Sequence, residues 1–508
     1  MPRIDLSDGC RSLDGGGPGG GAIREALLHH LPGQRWFAAK DRRLDSVTPT
    51  WCGELEADGD ELLLIEAVAS FSQGADQRYF VPVAVDWNRQ SNSGALAEVL
   101  RRDRSGVALD AALVPGFARA LIRHMLAGSE IAAGDSVLRF RASARLQALG
   151  LDAEPSVRRL GAEQSNSSVL VGERVMLKIY RRLERGIQPE IEIGRFLTEV
   201  AGFAGTPPWL GSVERIGAEG EAVAYAAAFG FIPGQGDAWR LTLDHVRRDL
   251  AARGRSTAYD WIAGTLGRRT AQMHRAFAID SDDAAFAPEP VSAGDVARWL
   301  GDARAQVAAG FATLAQARTS AAPALAADIE AALALRPRVE KALGAFEIGT
   351  MHLAKSRLHG DFHLGQVLLT ADDAMILDFE GEPARSLDER RAKGSPLKDV
   401  AGMLRSFDYA AWAAALQGAD GPAESGDAIP TVLAWRDRTC RLFLAAYRAE
   451  IAGCPTWPRS EQVADRLLRA FALEKLFYEI RYEAANRPTW LTIPVRGILE
   501  LFRDPVRR

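Results

Sequence analysis

Two stretches near the N-terminus are rich in apolar residues and have the length and composition of β-strands. The stretches are ELLLIEAVASF, residues 61–71, and RYFVPVAVDW, residues 78–87, and a polar segment containing glycine separates them. A helical pattern begins before them at Ala22, and another, LDAALVPGFARALIRHML, follows at 109–126. The pattern predicts a small α+β domain over residues 22–110.

Strand character returns between residues 155 and 233. The run SSVLVGERVMLKIY, residues 167–180, predicts two strands joined by a tight turn at its Gly-Glu pair. Pro189 begins a predicted helix, and a buried strand then leads into a Pro- and Gly-rich break near 230–236. A sheet with one helix and a short connector predicts a small lobe hinged to a larger one.

The remainder of the chain, from Trp239 onward, is Ala-rich and mostly helical in pattern. One exception is GQVLLTADDAMILDFEG, residues 365–381, which predicts a β-hairpin inside the helical region. The glycine-rich N-terminus predicts a disordered tail. The predicted domains are the tail at 1–21, the N-terminal domain at 22–110, the small lobe at 111–233 and the helical lobe at 234–508.

The composition is that of an ordinary globular protein, with 508 residues, 47% of them hydrophobic and 25% charged. A net charge of -4 gives no reason to expect nucleic acid or an anionic membrane as partner. The N-terminus has no apolar run of the signal-peptide kind, and no run is long enough to span a membrane, which predicts a cytoplasmic protein. The four scattered cysteines are expected to be reduced thiols.

The predicted hairpin has acidic residues at both ends. Asp361 precedes its first strand, whereas Asp378 and Glu380 follow its second strand. Because antiparallel strands bring the entry of one beside the exit of the other, these groups are expected to lie close together. Oxygen ligands without nearby thiols suit Mg²⁺, so Asp378 and Gln366 are predicted metal ligands. Asp361 is then available to accept a proton from a hydroxyl group.

Two other interpretations of this segment stay open on the residues alone. His359 and His363 flank Asp361, but a zinc site would lack an apparent third ligand, and the spacing is not H-E-x-x-H. An ordinary turn is the second alternative. We expect His359 to support the loop rather than to react.

The small lobe contains a candidate nucleotide site. Lys178 occupies a strand position, and Glu192, on the helix that begins at Pro189, is its expected ion-pair partner, with Glu190 as the second choice. A surface ion pair is the alternative. The polar segment before the strands is suited to covering phosphates with backbone N–H groups. The other candidate nucleotide contacts are Ser165, Asn166, Ser167, Gly230 and Phe231.

These features resemble a known family. HGDFHLGQ at 359–366, followed by DFEG at 378–381, resembles the protein-kinase-like fold in its aminoglycoside-phosphotransferase branch, where H-G-D-x-x-x-x-N precedes a second Asp. Gln366 stands where that branch usually has Asn. Longer blocks are similar to the maltokinase family, among them LPGQRWFAAK at 31–40, EQSNSSVLVGERVMLKIYRRLERGIQPEIEI at 163–193 and EKLFYEIRYEAANRPTWLTIP at 474–494.

The resemblance implies an α+β, bilobal protein-kinase-like fold, with an N-terminal cap domain on the small lobe and a mostly helical large lobe. It implies transfer of the γ-phosphate of ATP, with Mg²⁺, to the anomeric hydroxyl of maltose. The product, maltose 1-phosphate, is a donor for α-glucan (glycogen) synthesis. Maltokinases often work beside a trehalose synthase, so association with such an enzyme is a further expectation.

The segment at 474–490 is the candidate acceptor site. It places Lys475, Tyr478 and Tyr482 at helical spacings of three and four, on one face. Rings stack on sugars while charged groups bond hydroxyls, so this face suits a disaccharide; a tyrosine-bearing helix packed at an interface is the alternative. The predicted sugar contacts are His363, Glu380, Lys475, Tyr478, Tyr482 and Arg487.

Two other functions stay open. A kinase for another sugar, such as glucosamine, would have the same catalytic residues; an amino sugar favours an acidic pocket, whereas maltose needs room for a second ring. A catalytically silent kinase-fold binding module is the other, although Asp361, Lys178 and Asp378 are all present. The distinctive segment Gln34–Phe37 is expected to pack the cap against the small lobe.

Overall fold

The computed structural model describes residues 1–13, 17–57, 61–88, 94–161, 165–344, 353–416 and 428–502. The chain divides into two compact units. The first comprises Met1–Thr198 and Pro207–Ile232, and the second comprises Glu199–Thr206 and Pro233–Arg508. Among the described residues, no helix combines the length and the apolar character needed to cross a membrane.

The first unit begins with a β-sheet that forms the cap. Its strands are β1 (Arg3–Asp5), β2 (Leu44–Glu56), β3 (Glu61–Phe71), β4 (Gln77–Asp86), β5 (Ala97–Arg101) and β6 (Arg104–Asp110). The strand order is β1-β5-β6-β4-β3-β2, with β1 parallel to β5 and the other pairs antiparallel. Helix α1 (Gly20–His30) contributes to the core on one face of this sheet.

Strand β3 is buried on both faces, which explains its almost continuous apolar sequence. Leu62 and Leu64 pack with helix α2 (Pro115–Ala127), whereas Leu63 and Ile65 pack in the core that contains α1. The two strands predicted from these apolar runs are therefore present as β3 and β4.

The N-terminal residues are not the disordered tail predicted for 1–21. Strand β1 pairs with β5, and Ile4, Leu6 and Leu13 are buried in the cap core. The glycine content suggested disorder, but burial of these three apolar side chains provides the stabilisation that composition alone did not reveal.

The prediction of four reduced cysteines is wrong for two of them. Cys10 and Cys52 form a disulfide, with their Cα atoms 5.6 Å apart. Cys10 lies in the N-terminal segment that was expected to be disordered, and the packing of this segment brings it to β2. Cys440 and Cys454 are free thiols.

The second sheet of the first unit follows the order β7-β8-β13-β14-β11-β10-β9. The strands after the cap are β7 (Glu130–Ala133), β8 (Ser136–Ala142), β9 (Val157–Arg159), β10 (Asn166–Val171), β11 (Val175–Tyr180), β12 (Arg182–Leu183), β13 (Trp209–Ile216) and β14 (Ala222–Gly230); the helices are α3 (Ala144–Ala148) and α4 (Pro189–Arg195). The predicted turn between β10 and β11 contains Gly172 and Glu173, both with positive φ, and Pro189 begins α4.

The cap and the second sheet are joined by strand pairing and by a buried polar network. Strand β12 pairs antiparallel with β4. Glu66 of β3 accepts hydrogen bonds from Arg215 Nε at 2.6 Å and from the Tyr225 hydroxyl at 2.7 Å. The ring of Phe80 stacks on that of Tyr225 at 4.3 Å. The predicted cap domain on a sheet lobe is confirmed.

The second unit is mostly helical, as predicted. Its helices are α5 (Ala238–Ala251), α6 (Asp260–Ala276), α7 (Ala293–Ala317), α8 (Pro323–Ala334), α9 (Arg336–Ala342), α10 (Leu387–Arg391), α11 (Leu397–Leu416), α12 (Ala428–Ile451), α13 (Glu461–Asn486) and α14 (Thr492–Phe502). Its strands are β15 (Gly236–Asp237), β16 (Glu289–Pro290), β17 (Ala354–Lys355), β18 (Val367–Leu369) and β19 (Ala374–Ile376). The predicted hairpin is the antiparallel pair β18 and β19.

Candidate active site

The hairpin brings the predicted catalytic loop against the end of β19. The Nε2 atom of His359 donates to the carbonyl oxygen of Leu377 at 2.8 Å, and the Leu377 N–H donates to the carbonyl oxygen of Gln366 at 2.9 Å. Gln366 and Asp378 therefore lie at the same end of the hairpin. His359 occupies the supporting position expected from the sequence.

Two carboxylates meet just beyond β19. Oxygen atoms of Asp378 and Glu380 lie within 4.8 Å of each other. Asp378 has φ of 62°, a left-handed conformation that Asp tolerates better than most residues. Two carboxylates and the amide oxygen of Gln366 form the kind of donor set that Mg²⁺ prefers. These residues fit the predicted metal, with Glu380 as a further candidate ligand.

Asp361, the predicted base, lies between a lysine and a histidine. Its Oδ1 atom is 3.3 Å from Lys475 Nζ, and its Oδ2 atom is 3.8 Å from His363 Nε2. The Nδ1 atom of His363 accepts the Gly365 N–H at 3.0 Å, which leaves the proton of a neutral ring on the nitrogen facing Asp361. The carboxylate thus has two potential hydrogen-bond donors beside it.

Lys475 is a cation in this site. Burial acts to lower the pKa of Lys475, but the negative charges of Asp361, Glu382 and Glu479 outweigh it and hold the pKa above its ordinary value. The lysine is therefore protonated at neutral pH and offsets the charge of Asp361.

A cavity of about 860 Å³ opens onto these groups, and its lining includes Asp361, Lys475 and Tyr478. Small-molecule sites have volumes of about 300–1,000 Å³. Glu382, which sequence analysis missed, also lines the cavity; it accepts hydrogen bonds from Arg385 Nε at 2.8 Å and from the Tyr478 hydroxyl. Its place two residues after Glu380, in EGE, was the available signal.

Two predicted sugar contacts lie further from Asp361: Tyr482 is on α13, one turn beyond Tyr478, and Arg487 directly follows this helix. The ring of Tyr482 stacks on that of Tyr478 at 6.3 Å, and Tyr482 is 43% exposed. Arg487 donates from Nε to Glu483 at 2.9 Å, and its guanidinium lies over the Tyr482 ring. The structure therefore brings Lys475 and Tyr478 close to Asp361 and leaves Tyr482 and Arg487 further out.

Lys178 forms a buried ion pair in the first unit, but with the second-choice acid. Its Nζ atom lies 2.9 Å from Glu190 Oε2, and the Tyr180 hydroxyl donates to the same oxygen at 2.7 Å. Glu190, the second choice from the sequence, is thus shown as an ion-pair partner of Lys178. Residues two apart in a helix point to different sides, and the phase of α4 turns Glu190 toward β11.

The remaining nucleotide candidates lie at two ends of the second sheet. Ser165 precedes β10, Asn166 begins it, and the Ser167 hydroxyl accepts a hydrogen bond from Arg181. Gly230 ends β14, and the N–H of Phe231 donates to the carbonyl oxygen of Arg174 at 2.7 Å.

A buried carboxylate from the helical unit holds the loop that contains Asp361. Asp399, 2% exposed in the first turn of α11, accepts the N–H groups of His359 at 2.8 Å and Gly360 at 3.0 Å. His274 Nε2 donates to it at 3.2 Å and on its other side accepts from the Tyr447 hydroxyl. Burial acts to raise the pKa of Asp399, but these hydrogen bonds and the electrostatic interaction with the rings of His274 and His359 outweigh it, so the pKa is lowered.

Asp399→Asn is expected to lower both stability and turnover, because a neutral amide cannot replace a carboxylate that accepts three hydrogen bonds. Loss of such a buried charge interaction costs about 3–5 kcal/mol. Since the folded pKa is depressed, the contribution of Asp399 is complete above the pKa of an unfolded Asp, about 3.9, and is lost as the pH falls through the folded value. The difference in unfolding free energy between wild type and variant should therefore shrink at acidic pH.

Urea unfolding at pH 7 and in the acid range measures this difference. Asp465→Asn is the control, because its surface pair with Arg448 is largely exposed and contributes little. A penalty for Asp399→Asn that is the same at every pH would contradict the expected role of the ionised carboxylate.

The fold and the candidate site define the class of kinase-like phosphotransferases. The chain has a sheet lobe with a buried strand lysine, and a helical unit with an Asp-bearing loop before a β-hairpin. Residues 156–435 match the phosphotransferase enzyme family, and residues 30–113 match the maltokinase N-terminal cap domain. The chain belongs to the phosphotransferase enzyme family and is maltokinase-like, which confirms the resemblance found in the sequence.

The relatives of this chain include two glucosamine kinases. That of Streptacidiphilus jiangxiensis is 29% identical over 356 residues, 68% of this chain and 73% of the relative. That of Mycolicibacterium smegmatis is 28% identical over 344 residues, 66% and 77% of the two chains. A solved glucosamine kinase, in complex with glucosamine, ADP and inorganic phosphate, aligns with a TM-score of 0.63 at 24% identity, covering 94% of this chain and 98% of that one. This structural likeness supports the fold.

Proposed function

We propose that this protein is a sugar kinase that transfers the γ-phosphoryl group of ATP to the anomeric hydroxyl of maltose, giving maltose 1-phosphate and ADP. The observation that supports it most is the cavity lined by Asp361, Lys475 and Tyr478, in a chain whose N-terminal domain matches the maltokinase cap.

Phosphoryl transfer depends mainly on positioning and on neutralising phosphate charge. In the proposed reaction, Asp361 accepts the proton of the sugar hydroxyl as its oxygen attacks the γ-phosphorus. Lys178, held by Glu190, binds the nucleotide phosphates. Gln366 and Asp378, with Glu380 as a third candidate, hold Mg²⁺, which neutralises phosphate charge when bound. The further nucleotide contacts proposed are Ser165, Asn166, Ser167, Gly230 and Phe231.

The acceptor is either maltose or an amino sugar such as glucosamine, which the relatives' names suggest. Two like charges about 4 Å apart repel by about 4 kcal/mol at an effective dielectric constant of about 20. A protonated Lys475 beside Asp361 therefore disfavours an ammonium-bearing sugar at the reacting position. Glu382 is an acidic group that could attract an amino sugar, but its charge is offset by Arg385. A neutral sugar with a second ring suits the charge and size of the cavity better.

ADP release with ATP and Mg²⁺, measured with maltose, glucosamine, glucose and water alone, tests the proposal. We expect maltose-dependent release, with maltose 1-phosphate identified by NMR. In Lys475→Met, kcat/KM for maltose should fall roughly tenfold or more, since a hydrogen bond from a charged group is lost, while the preference for maltose over glucosamine should narrow. Lys341→Met, on an exposed position of α9, is the control.

Release with glucosamine but not with maltose would overturn the acceptor assignment and keep the kinase chemistry. If none of the sugars stimulates ADP release, a catalytically silent binding module would be favoured. The expectations that the product feeds α-glucan synthesis, that a trehalose synthase associates with this chain, and that the protein acts in the cytoplasm belong to the same proposal.

A further inference from the structure

Arg181 is a completely buried cation in the first unit. Its Nη2 atom donates to Asp110 Oδ1 at 2.9 Å and Oδ2 at 2.8 Å, and its Nε atom donates to the Ser167 hydroxyl at 2.9 Å. Its guanidinium carbon lies 4.7 Å from the ring centroid of Trp36. Asp110 and Trp36 belong to the cap, whereas Ser167 belongs to β10. Arg181 therefore connects the cap to the strand beside the predicted phosphate-binding segment.

Arg181 directly follows β11, the strand that presents the predicted nucleotide lysine on its other face. Successive residues of a strand point to opposite sides of the sheet. Lys178 and Tyr180 of β11 turn toward α4 and bind Glu190, and Arg181, the next residue, turns toward the cap. The carbonyl oxygen of Arg181 also accepts the N–H of Phe80 in β4 at 2.8 Å. The backbone that positions Lys178 is thus held directly by the cap.

This arrangement explains the Gln34–Phe37 segment, for which the proposed chemistry has no role. The side chain of Gln34 lies within hydrogen-bonding distance of His30 Nδ1, at 3.3 Å, and the Trp36 ring packs on Tyr79 at 5.9 Å. These contacts fix Trp36 against the Arg181 guanidinium. Well-packed apolar residues often hold two layers together at least as stably as a buried ion pair does. Attachment of the cap therefore does not require the charged, directional contact with Ser167, and this contact suggests a positioning role.

We propose that Arg181 is a positioning residue for nucleotide binding. The cap fixes Arg181 through Asp110 and Trp36, and Arg181 in turn fixes the side chain of Ser167 and the strand that presents Lys178. The inference rests on the proposed function, because it takes Lys178 as the ligand of the ATP phosphates. It assigns the cap to the donor side of the reaction rather than to the acceptor side.

Three variants of the full chain test the connection at different points. Asp110→Asn keeps the shape and removes the charge, Arg181→Lys keeps the charge and removes the guanidinium fork, and Ser167→Ala removes only the last contact. We expect the KM for ATP and the Kd for ADP to rise about tenfold in the first two and less in the third. The KM for the sugar should stay within about twofold of wild type.

Arg101→Lys is the matched control, because Arg101 binds Glu61 and the Leu6 carbonyl inside the cap without contacting Arg181. It should lower the melting temperature of the cap and leave the KM for ATP unchanged. Unchanged ADP affinity in folded Asp110→Asn and Arg181→Lys would overturn the inference. The inference would also be overturned if Asp110→Asn and Arg181→Lys raised the KM for ATP and the KM for the sugar equally and lowered the melting temperature as Arg101→Lys does. Arg181 would then be a purely structural contact.

The two proposals fail in distinguishable ways. If the wild-type protein phosphorylates no sugar, the proposed function fails, and ADP binding by the variants still decides the role of Arg181. If the wild type is active and the variants bind ADP normally, only the positioning role fails.

Discussion

Asp361→Asn is expected to lower kcat by about 10²–10⁴-fold, the usual contribution of a positioned general base. An amide has the size of the carboxylate but cannot accept the proton of the attacking hydroxyl. The loop itself should keep its conformation, because it is held by bonds that the substitution leaves in place. Those bonds run from the N–H groups of His359 and Gly360 to Asp399, and from the His359 ring to the Leu377 carbonyl.

The measurement is ADP release at saturating ATP and maltose, together with calorimetric binding of ADP. Asp388→Asn is the control, because it removes a carboxylate from an exposed position in the lining of the same cavity, and it should retain nearly full activity. If Asp361→Asn keeps more than about a tenth of the wild-type rate, the base lies elsewhere. If it loses ADP binding as well, the defect is structural rather than catalytic.

Features that are local in sequence could be predicted. The hairpin β18–β19 and the strand pair β10–β11 follow from apolar runs interrupted by turn residues, and their pairing partners are only a few residues away. The HGD segment and Asp378 could be predicted to lie close together, because one hairpin connects them. Apolar runs also located β3 and β4 of the cap, since such runs depend only on neighbouring residues.

Features decided by packing could not be predicted. The choice between Glu190 and Glu192 depends on the rotation of α4 about its axis, which is set by contacts outside the helix. Asp399 is 125 residues from His274, and Asp110 is 71 residues from Arg181. No local pattern selects partners over such separations, because only the tertiary fold brings them together. The burial of Ile4 and the Cys10–Cys52 disulfide were missed for the same reason.

The ion pair between Lys178 and Glu190 of α4 is the origin of the second large expected effect. Glu190→Gln should lower kcat/KM for ATP on the order of 10²-fold, because it removes the carboxylate charge that pairs with Lys178. The side chains of Lys178 and Glu190 are only 11% and 6% exposed, and removing one partner of such a buried pair costs about 3–5 kcal/mol. Glutamine still accepts a hydrogen bond from the Tyr180 hydroxyl, so the loss measures the charge rather than the shape.

Glu192→Gln is the matched control, since it removes the same charge from the same turn of the same helix. Its kcat/KM for ATP should stay within about threefold of wild type, and the KM for maltose should change little in either variant. Initial rates at varied ATP, with melting temperatures to verify folding, separate the two acids. A larger loss in Glu192→Gln would restore the choice made from the sequence. A specific ion pair must distinguish two carboxylates that point to different sides of the helix. Equal losses in both variants would therefore mean that the total negative charge in the first turn of α4, rather than the specific pair, supports ATP binding.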